Sequence, residues 1–374
     1  MPCSGQASNF DMIRRLLILL YFLSLIPMAG SLLSQYLSPV LVWPLAFLGL
    51  IFPVLILIQV VFLILFLLMK RRVVILPLLV ILVSWPQVNH TFQLTPNRST
   101  EIIDTLGVRV MTYNVRLLDL YHWSGHKNAA EDILELIREN DPDILCLQEL
   151  TVMDGSDYSK EGLKQKLSQL SHSHFDFIDE RSKRKHGLAI FSKYPILDTG
   201  SEHFSGSRNT ITYADLMIGR QKVRVFNNHL ESTHVERDDF DLNDLRGTGE
   251  NLMTREKVSA TMGRMKESYR RRAVQADLLK RKIQDSPHPV IVCGDFNDTP
   301  VSYATYQVRR GLHDAFRSGG RGMGITFPGL IIPLRIDYIL HDKAFRSGSF
   351  ETGNVDYSDH RPIVCTIYLA GLSG

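Results

Sequence analysis

Cysteine is scarce in this sequence, and none of the four cysteines among its 374 residues belongs to a CxxC pair. A disulfide framework and a zinc site built from paired thiolates are therefore not indicated. Cys146, Cys293 and Cys365 each lie in an apolar, strand-like segment, so we expect them to be small core residues. The sequence also lacks internal repeats and low-complexity tracts, which argues against a repeat architecture.

A charge excess of one sign is lacking as well, since 42 Lys and Arg residues against 39 Asp and Glu residues leave a net charge of +3. Two basic runs, 181–186 and 270–272, have two interpretations: a track for a phosphate backbone, or a solvated face. The nearly balanced total charge favours the solvated face.

Charged residues are absent from Leu16 to Met69, and again from Val73 to Trp85. A spanning helix needs about 20 apolar residues, so the first run is long enough for two, with a break near Gln35–Pro39. The segment Val73–Val88 is short for a third span, although tilt would let it cross. We therefore expect residues 1–88 to be a membrane region with two to three transmembrane helices.

Basic residues flank the two predicted spans of the first run: Arg14 and Arg15 precede the first span, and Lys70, Arg71 and Arg72 follow the second span. The positive-inside tendency places both clusters in the cytoplasm. If the third segment spans, the protein is a multi-pass membrane protein whose remainder is extracytoplasmic, which is our expectation. If that segment is re-entrant, the remainder faces the cytoplasm. Residues 89–104 are polar and are predicted to form a juxtamembrane linker.

Residues 105–371 alternate strand-like and helical patterns without the regular βαβ rhythm of a barrel. This pattern predicts an α/β fold in which two packed sheets have helices outside them. The longest helical pattern runs from Val258 to Ile283, and Arg272 interrupts its apolar stripe. We expect the Arg272 stem to pack and its head to pair with a carboxylate or a carbonyl.

The segment Val290–Pro300, which reads VIVCGDFNDTP, changes abruptly from apolar to polar residues after Cys293. On an extended backbone, Asp295 and Asn297 project to one side and Phe296 to the other. Two interpretations are open: a capped turn, or a carboxylate and a carboxamide that hold a water molecule against an electrophile. The recurrence of such strand ends along the chain favours the second interpretation.

Six strand-like runs end in a residue that is able to hold a metal, water or phosphate. If these ends gather at one edge of the fold, they line a pocket. Carboxylates with Asn but no Cys favour Mg²⁺ or Mn²⁺ over zinc. The six ends are Asn114, Glu149, His229, the pair Asp295 and Asn297, Asp337, and the pair Asp359 and His360.

The motifs TYN, LQE, NNHLE, GDFND, RIDYIL and SDH, in this order, resemble those of the endonuclease/exonuclease/phosphatase superfamily. The resemblance covers residues 108–369. That superfamily includes deoxyribonuclease-I-like nucleases, abasic-site endonucleases, neutral sphingomyelinases and inositol-polyphosphate phosphatases. It implies a four-layered α/β sandwich and metal-dependent hydrolysis of a phosphate ester.

The resemblance also implies roles for single residues. Glu149 would bind the metal, with Asn114 and Asp359 nearby. Asp295 would orient or deprotonate the attacking water, and Asn297 would help to place it. The remaining roles fall to three residues: His360 on the scissile phosphate, Asp337 orienting that histidine, and His229 on a phosphate oxygen. Some members carry an acidic residue where this chain has Arg116, which makes the metal shell lighter by one carboxylate.

The substrate remains open between nucleic acid and a phospholipid headgroup, because one scaffold serves both. A generic nuclease or phosphodiesterase ranks first, a sphingomyelinase-like lipid hydrolase second and an inositol-polyphosphate phosphatase third. No aromatic loop near the site stands out in the sequence. A binding module without catalysis is a rival from another class, although none of the expected site residues is missing. No protein partner is predicted.

Overall fold

The computed structural model describes residues 4–70, 72–93, 106–233, 255–329 and 333–369. Most of the expected linker, residues 94–104, lies outside this described part. The first residues of that expected linker, 89–91, are helical and belong to the last helix before residue 93. The helices before residue 93 are α1 (Ser4–Ser34), α2 (Pro39–Val42), α3 (Pro44–Leu50), α4 (Phe52–Leu68), α5 (Ile75–Val83) and α6 (Trp85–Thr91).

These six helices form the N-terminal helical region, residues 4–93, in which α1 and α4 pack side by side. Tyr21 of α1 contacts the rings of Phe62 and Phe66 of α4, and Gln59 donates a hydrogen bond to Ser24 at 3.1 Å. Later residues of α1 pack against earlier residues of α4, so the two helices run antiparallel. The predicted break at Gln35–Pro39 is present, because α1 ends at Ser34.

One straight helix in the described part, Asp11–Ser34, is long and apolar enough to cross a membrane. Two further helix pairs meet the same criterion only if each bent pair counts as one span. Pro44–Leu50 and Phe52–Leu68 meet at 64°, and Arg72–Val83 and Trp85–Thr91 meet at 56°. The expectation of two to three spans therefore depends on the bent pairs.

Two six-stranded mixed sheets follow, and together with their flanking helices they form the sandwich, residues 106–369. Their twelve strands are β1 (Leu106–Asn114), β2 (Ile144–Met153), β3 (His172–Phe177), β4 (Arg184–Ser192), β5 (Ile196–His203), β6 (Thr210–Ile218), β7 (Gln221–His229), β8 (Val290–Asp295), β9 (His313–Asp314), β10 (Asp337–His341), β11 (Phe345–Thr352) and β12 (Ile363–Leu369). The first sheet has the order β11-β12-β1-β2-β4-β3, and the second has β5-β6-β7-β8-β10-β9.

Helices cover the outer faces of both sheets. The five α-helices after β1 are α7 (Ala129–Asn140), α8 (Lys160–Lys166), α9 (Arg255–Gln284), α10 (Tyr303–Arg309) and α11 (Ala315–Gly319). One apolar core lies between the sheets, a second joins the first sheet to α7 and α8, and a third joins the second sheet to α9 and α10. The order is helix, sheet, sheet, helix, which confirms the expected four-layered α/β sandwich.

Alternation along the strands explains this layering. Val108 and Val110 of β1 point into the core between the sheets, whereas Met111 and Tyr113 pack under the helices. The three cysteines outside the N-terminus are buried and free, as expected. Because both faces of each sheet are covered, the central strands β2 and β8 begin with continuous apolar runs, residues 144–147 and 290–293.

Two parallel strand pairs, β1 with β2 and β7 with β8, determine where the polar strand ends lie. Parallel strands end at the same edge of a sheet, so their last residues become neighbours. Asn114 is level with Gln148, and His229 is level with Asp295. The antiparallel strand β10 brings Asp337 beside Asp295 from the other side. The predicted strand ends therefore gather at one edge.

Candidate active site

The turn after β8 places Asp295 and Asn297 together. The Asn297 backbone N–H donates to Asp295 Oδ1 at 2.7 Å, and Asn297 Nδ2 donates to Asp295 Oδ2 at 3.2 Å. Asn297 has a φ of 52°, which asparagine tolerates better than most residues. The two interpretations of this segment therefore coincide, because a side-chain-capped turn presents the carboxylate.

Gly294 is required one residue earlier. Its φ is 133°, and a Cβ there would lie 2.0 Å from the Asn228 carbonyl oxygen on the neighbouring strand. Only glycine allows β7 and β8 to approach this closely at the strand end. The close approach puts His229 and Asp295 side by side.

Asp295 is the centre of the site, with a side chain that is 1% exposed. Its Oδ2 accepts a hydrogen bond from Asn114 Nδ2 at 3.0 Å, so the first sheet contacts the second here. The same oxygen lies 3.6 Å from His229 Nε2 and 3.7 Å from His360 Nε2. Both separations exceed a direct hydrogen bond, and His229 Nε2 is buried without a partner.

His360 is held by Asp337, whose Oδ2 accepts a hydrogen bond from His360 Nδ1 at 2.9 Å. The Asp337 backbone N–H in turn donates to Thr326 Oγ1 at 3.1 Å. Arg335, two residues earlier in the chain, pairs with Asp314 at 3.0 Å and not with Asp337. Asp337 therefore orients His360.

Glu149 reaches the site through a bulge in β2. The pairing with β4 shifts between Leu147 and Leu150, which gives β2 one extra residue, and Glu149 has a φ of 50°. Its Oε1 accepts a hydrogen bond from Asn114 Nδ2 at 3.2 Å and lies 3.5 Å from His229 Nε2. The side chain is 33% exposed, so this carboxylate faces the mouth of the site.

Arg116 lies beside Asp359 at the rim, with its Nε 3.2 Å from Asp359 Oδ2. Its guanidinium also lies 4.7 Å from the centre of the Trp123 ring, and Trp123 contacts Tyr121. Both rings are about half exposed, at 49% and 55%. An aromatic rim therefore exists next to the site, which the sequence analysis missed because the residues of this loop show no periodic pattern.

The charges within the site are strongly perturbed by burial. Burial raises the pKa of Asp295 to about 6, although the charge of His360 opposes this, and burial also raises the pKa of Glu149. Burial lowers the pKa of His229. Burial alone would lower the pKa of His360 too, but the carboxylates of Asp337 and Asp295 raise it well above its usual value. These shifts favour the imidazolium form of His360 and the neutral form of His229.

A buried amide pair beneath the site joins the two sheets, and the sequence analysis did not identify it. Gln148 Nε2 donates to Asn227 Oδ1 at 2.6 Å, and Asn227 Nδ2 donates to the carbonyls of Leu147 and Ala189 at 2.9 Å each. Both side chains are fully buried. Gln148 precedes Glu149, and Asn227 lies two residues before His229 on β7, so this pair fixes the spacing of the strands that carry the site. A buried amide within an otherwise apolar run was the available signal.

The donor set fits a hard divalent cation. It offers carboxylates and carboxamides without thiolates, and burial raises the pKa of Glu149 and of Asp295, so a cation beside them would favour their ionised forms. Asp295, Asp337 and His360 also have ligand-type atoms within 4.8 Å of one another. Because His360 and Asp337 are hydrogen-bonded to each other, these three residues are better explained as a histidine–carboxylate pair beside a second carboxylate than as a metal site. As placed, Asn114 turns its amide nitrogen toward Glu149, so its oxygen would have to turn inward to bind a cation.

All eight residues that the sequence analysis named are in or next to this cluster. Seven of them, Asn114, Glu149, His229, Asp295, Asn297, Asp337 and His360, are linked by direct hydrogen bonds or lie within 3.7 Å of a neighbour in the set. Asp359 stands at the rim, where it pairs with Arg116. The expected inward position of Arg272 is confirmed, since it pairs with Asp298 at 3.1 Å and donates to the Glu231 carbonyl at 2.7 Å.

Solved structures with a similar fold were found. An endonuclease/exonuclease/phosphatase from Bacteroides vulgatus has a TM-score of 0.51 and 19% identity, covering 71% of this chain and 99% of that one. TDP2 from C. elegans has a TM-score of 0.48 and 20% identity, over 72% and 77% of the two chains. Sphingomyelinase C from Streptomyces griseocarneus has a TM-score of 0.46 and 16% identity, over 70% and 99%. At these identities the likeness concerns the fold alone.

No match to a curated protein was found. A family model described as a domain of unknown function (DUF8431) matches residues 14–91, which is the N-terminal helical region. The model of the endonuclease/exonuclease/phosphatase family matches residues 111–360. Because that match spans more than half of the chain and includes every one of the eight site residues, the protein belongs to the endonuclease/exonuclease/phosphatase family.

Proposed function

We propose that this protein is a membrane-anchored, divalent-metal-dependent phosphodiesterase that cleaves its substrate by in-line attack of water. One observation carries the proposal: Asp295 Oδ2 lies 3.6 Å and 3.7 Å from the Nε2 atoms of His229 and His360. A carboxylate, a neutral imidazole and an imidazolium thus face one point without bonding one another directly. This is the arrangement needed to hold a phosphate and a water molecule between them.

Asp295 is the general base in this proposal. Its buried carboxylate would accept a proton from the attacking water as the new bond to phosphorus forms and the ester oxygen leaves on the opposite side. Asn297 fixes the carboxylate by two hydrogen bonds, from its backbone and from its side chain. The pKa near 6 suits this role, because the group is ionised at neutral pH and still basic enough to take a proton.

The two histidines bind phosphate oxygens in different charge states. His360 is an imidazolium whose Nδ1 is engaged by Asp337, so its Nε2–H is left to donate to the scissile phosphate. His229 is neutral, and its buried Nε2 lacks a partner until a phosphate oxygen or a water molecule supplies one. A donor aimed at developing charge is worth more in such a buried site than in water.

Glu149 would hold the cation, assisted by the Asn114 amide oxygen and by Asp359 at the rim. When bound, Mg²⁺ or Mn²⁺ would stabilise negative charge on the phosphoryl oxygens. Arg116 adds a fixed positive charge beside Asp359, so we propose one cation rather than two.

The position of the contacts with the sandwich supports membrane anchoring, because these contacts lie at one end of the N-terminal helical region and the basic residues lie at the other. The contacts involve Ser34, Gly49 and His90, whereas Arg14 and Lys70 lie at the opposite ends of α1 and α4. With both bent pairs counted as spans, the basic clusters face the cytoplasm and the sandwich is extracytoplasmic. Labelling of an engineered Ser182→Cys in intact cells by an impermeant maleimide tests this topology. Absence of labelling until the cells are lysed would contradict it.

The activity test uses the full chain in detergent with bis-p-nitrophenyl phosphate. We expect turnover with Mg²⁺ or Mn²⁺, its loss with EDTA, and its loss in Asp295→Asn. Asp154→Asn is the matched control, because that carboxylate pairs with Lys185 outside the site. Lack of turnover with either metal, in protein shown to be folded, would overturn the proposal.

A substrate panel separates the remaining candidates. Plasmid DNA, sphingomyelin or phosphatidylcholine vesicles, and an inositol polyphosphate represent the nuclease, the lipid hydrolase and the phosphatase. The exposed pair of Tyr121 and Trp123 suits both a nucleobase and a lipid headgroup. Binding of these compounds without cleavage of any would favour a non-catalytic phosphate-ester-binding module instead.

A further inference from the structure

The N-terminal helical region contacts two segments of the sandwich, and each segment is joined directly to a site residue. The first segment, residues 298–301, follows Asn297. The second, residues 333–335, precedes Asp337. Because an extended chain spans at most about 3.6 Å per residue, Val301 lies within about 14 Å of Asn297, and Arg335 lies within about 7 Å of Asp337.

At the first segment, helix ends of the N-terminal helical region enclose Val301. Ser34 Oγ donates to the Val301 carbonyl at 3.0 Å, and the Val301 side chain is 1% exposed in a cluster with Met28 and Phe52. Gly49 makes this approach feasible, since a Cβ there would lie 2.5 Å from Ser34 Oγ and 3.3 Å from the Val301 carbonyl oxygen. Nearby, α2 packs against α9.

At the second segment, the end of α6 engages Arg335, which is 3% exposed. Arg335 Nη2 donates to the His90 carbonyl at 2.8 Å while the guanidinium also pairs with Asp314. Gln93 then forms a two-way backbone pair with Gly322, at 2.7 Å and 2.8 Å. The loop that begins at Gly322 carries Thr326, which accepts hydrogen bonds from the backbone N–H groups of Ile336 and Asp337.

We propose that the N-terminal helical region, besides anchoring the protein, is a docked part of the active-site support. By holding residues 298–301 and 333–335, it keeps Asn297 and Asp337 at the spacing that Asp295 and His360 require. Ser34, Gly49 and the end of α6 are therefore positioning residues for the hydrolysis. This inference rests on the proposed function only for its catalytic consequence, because the docking itself can be measured without activity.

The first test cuts the chain between residues 94 and 105 with an inserted protease site, in full-length protein in detergent. We expect the sandwich fragment to co-elute with the N-terminal fragment after cleavage, because both contact segments lie outside the cut. The wedge variant Gly49→Leu is expected to release the fragment, and Gly49→Ala to do so partly. If the two fragments of the protein that retains Gly49 separate after cleavage, the docking proposal is overturned.

The second test measures positioning by hydrogen exchange and kinetics in the uncut protein. We expect Gly49→Leu and Tyr36→Ala to raise exchange at residues 296–301 and 333–337 by at least about tenfold. Tyr36 is chosen because its ring packs on Tyr306 and its removal leaves the sandwich core intact. Leu68→Ala, at a side chain that is 75% exposed, is the matched control.

Kinetics give the catalytic consequence. For the soluble diester, kcat should fall by about tenfold in Gly49→Leu while KM stays within twofold, because none of the eight site residues lies in the N-terminal helical region. Unchanged exchange and unchanged kcat in both variants would refute the positioning role. If the wild type lacks metal-dependent turnover altogether, the proposed function fails, whereas co-elution and exchange still decide the docking.

Discussion

Asp337 Oδ2 lies 2.9 Å from His360 Nδ1, and both side chains are almost fully buried, at 2% and 7% exposure. This hydrogen bond fixes which ring nitrogen of His360 enters the site, because Nε2 then points toward Asp295. It also holds a proton on the ring, since the carboxylate raises the pKa of His360. The pair thus gives the site a cation of fixed direction.

Asp337→Asn should preserve the shape of this pair and remove its charge. We expect kcat to fall by about 10–100-fold, because the pKa of His360 drops once the adjacent anion is lost. The basic limb of the pH–rate profile should move to lower pH. Steady-state kinetics from pH 5 to 10 measure both effects, with the exposed Asp198→Asn as the control. A kcat within twofold of wild type and an unmoved basic limb would refute the role of Asp337.

Glu149→Ala, Asp295→Ala and His360→Ala should each remove most turnover without unfolding the protein. Each deletes one group aimed at the phosphate, the water or the cation, and such deletions cost on the order of 10²–10³ in rate. Purified full-length variants are compared by kcat and by thermal unfolding. Near-normal activity in two of the three variants would refute the assignment of the site.

Gln148→Met should loosen the connection between the two sheets. The substitution leaves Asn227 Oδ1 buried without its 2.6 Å donor, which costs about 1–3 kcal/mol of unfolding free energy. Chemical denaturation measures the loss, and the exposed Gln165→Met is the control. We also expect a lower kcat, because Glu149 adjoins Gln148. Stability equal to that of the control variant would show that the amide pair is not a support.

The rate should have an acid limb at or below about pH 6. The general base must be ionised, and burial raises the pKa of Asp295 to about 6, so the active anion is lost as the pH falls through that value. A bound cation favours the anion and can only lower this pKa. The pH dependence of kcat/KM at saturating Mg²⁺ measures the limb. An acid limb centred above pH 7 would exclude Asp295 as the base.

The strand patterns predicted the fold well where the strands are central. The segment Ile363–Leu369, which forms β12, is recognisable as a strand from its sequence, because an apolar run between two covered faces has few alternatives. Two edge strands, β3 and β11, were missed. His172–Phe177 and Phe345–Thr352 mix polar and apolar residues, since an edge strand has one side against solvent and loses the simple pattern.

Of the membrane prediction, the structure confirms one N-terminal helix that is long and apolar enough to cross a membrane. An uncharged run reveals an apolar helix by composition alone, and Asp11–Ser34 is such a helix. Composition does not show where a long apolar run bends. The bends next to Ile51 and Ser84 depend on prolines and on packing against the sandwich, so the number of spans stays a proposal.

By itself, the sequence determined which residues end the strands and what chemistry they offer. Carboxylates, amides and histidines after apolar runs indicate a pocket suited to a hard cation, and the resemblance of the motifs implies phosphate-ester hydrolysis, because local pattern and side-chain chemistry are properties of short segments. Tertiary structure decided which of these groups meet. The pairing of Asp337 with His360 rather than Arg335, the bulge at Glu149 and the burial that raises the pKa of Asp295 all depend on contacts between distant segments. Spacing along the chain does not encode such distances, which only the packed sheets and the helices around them establish.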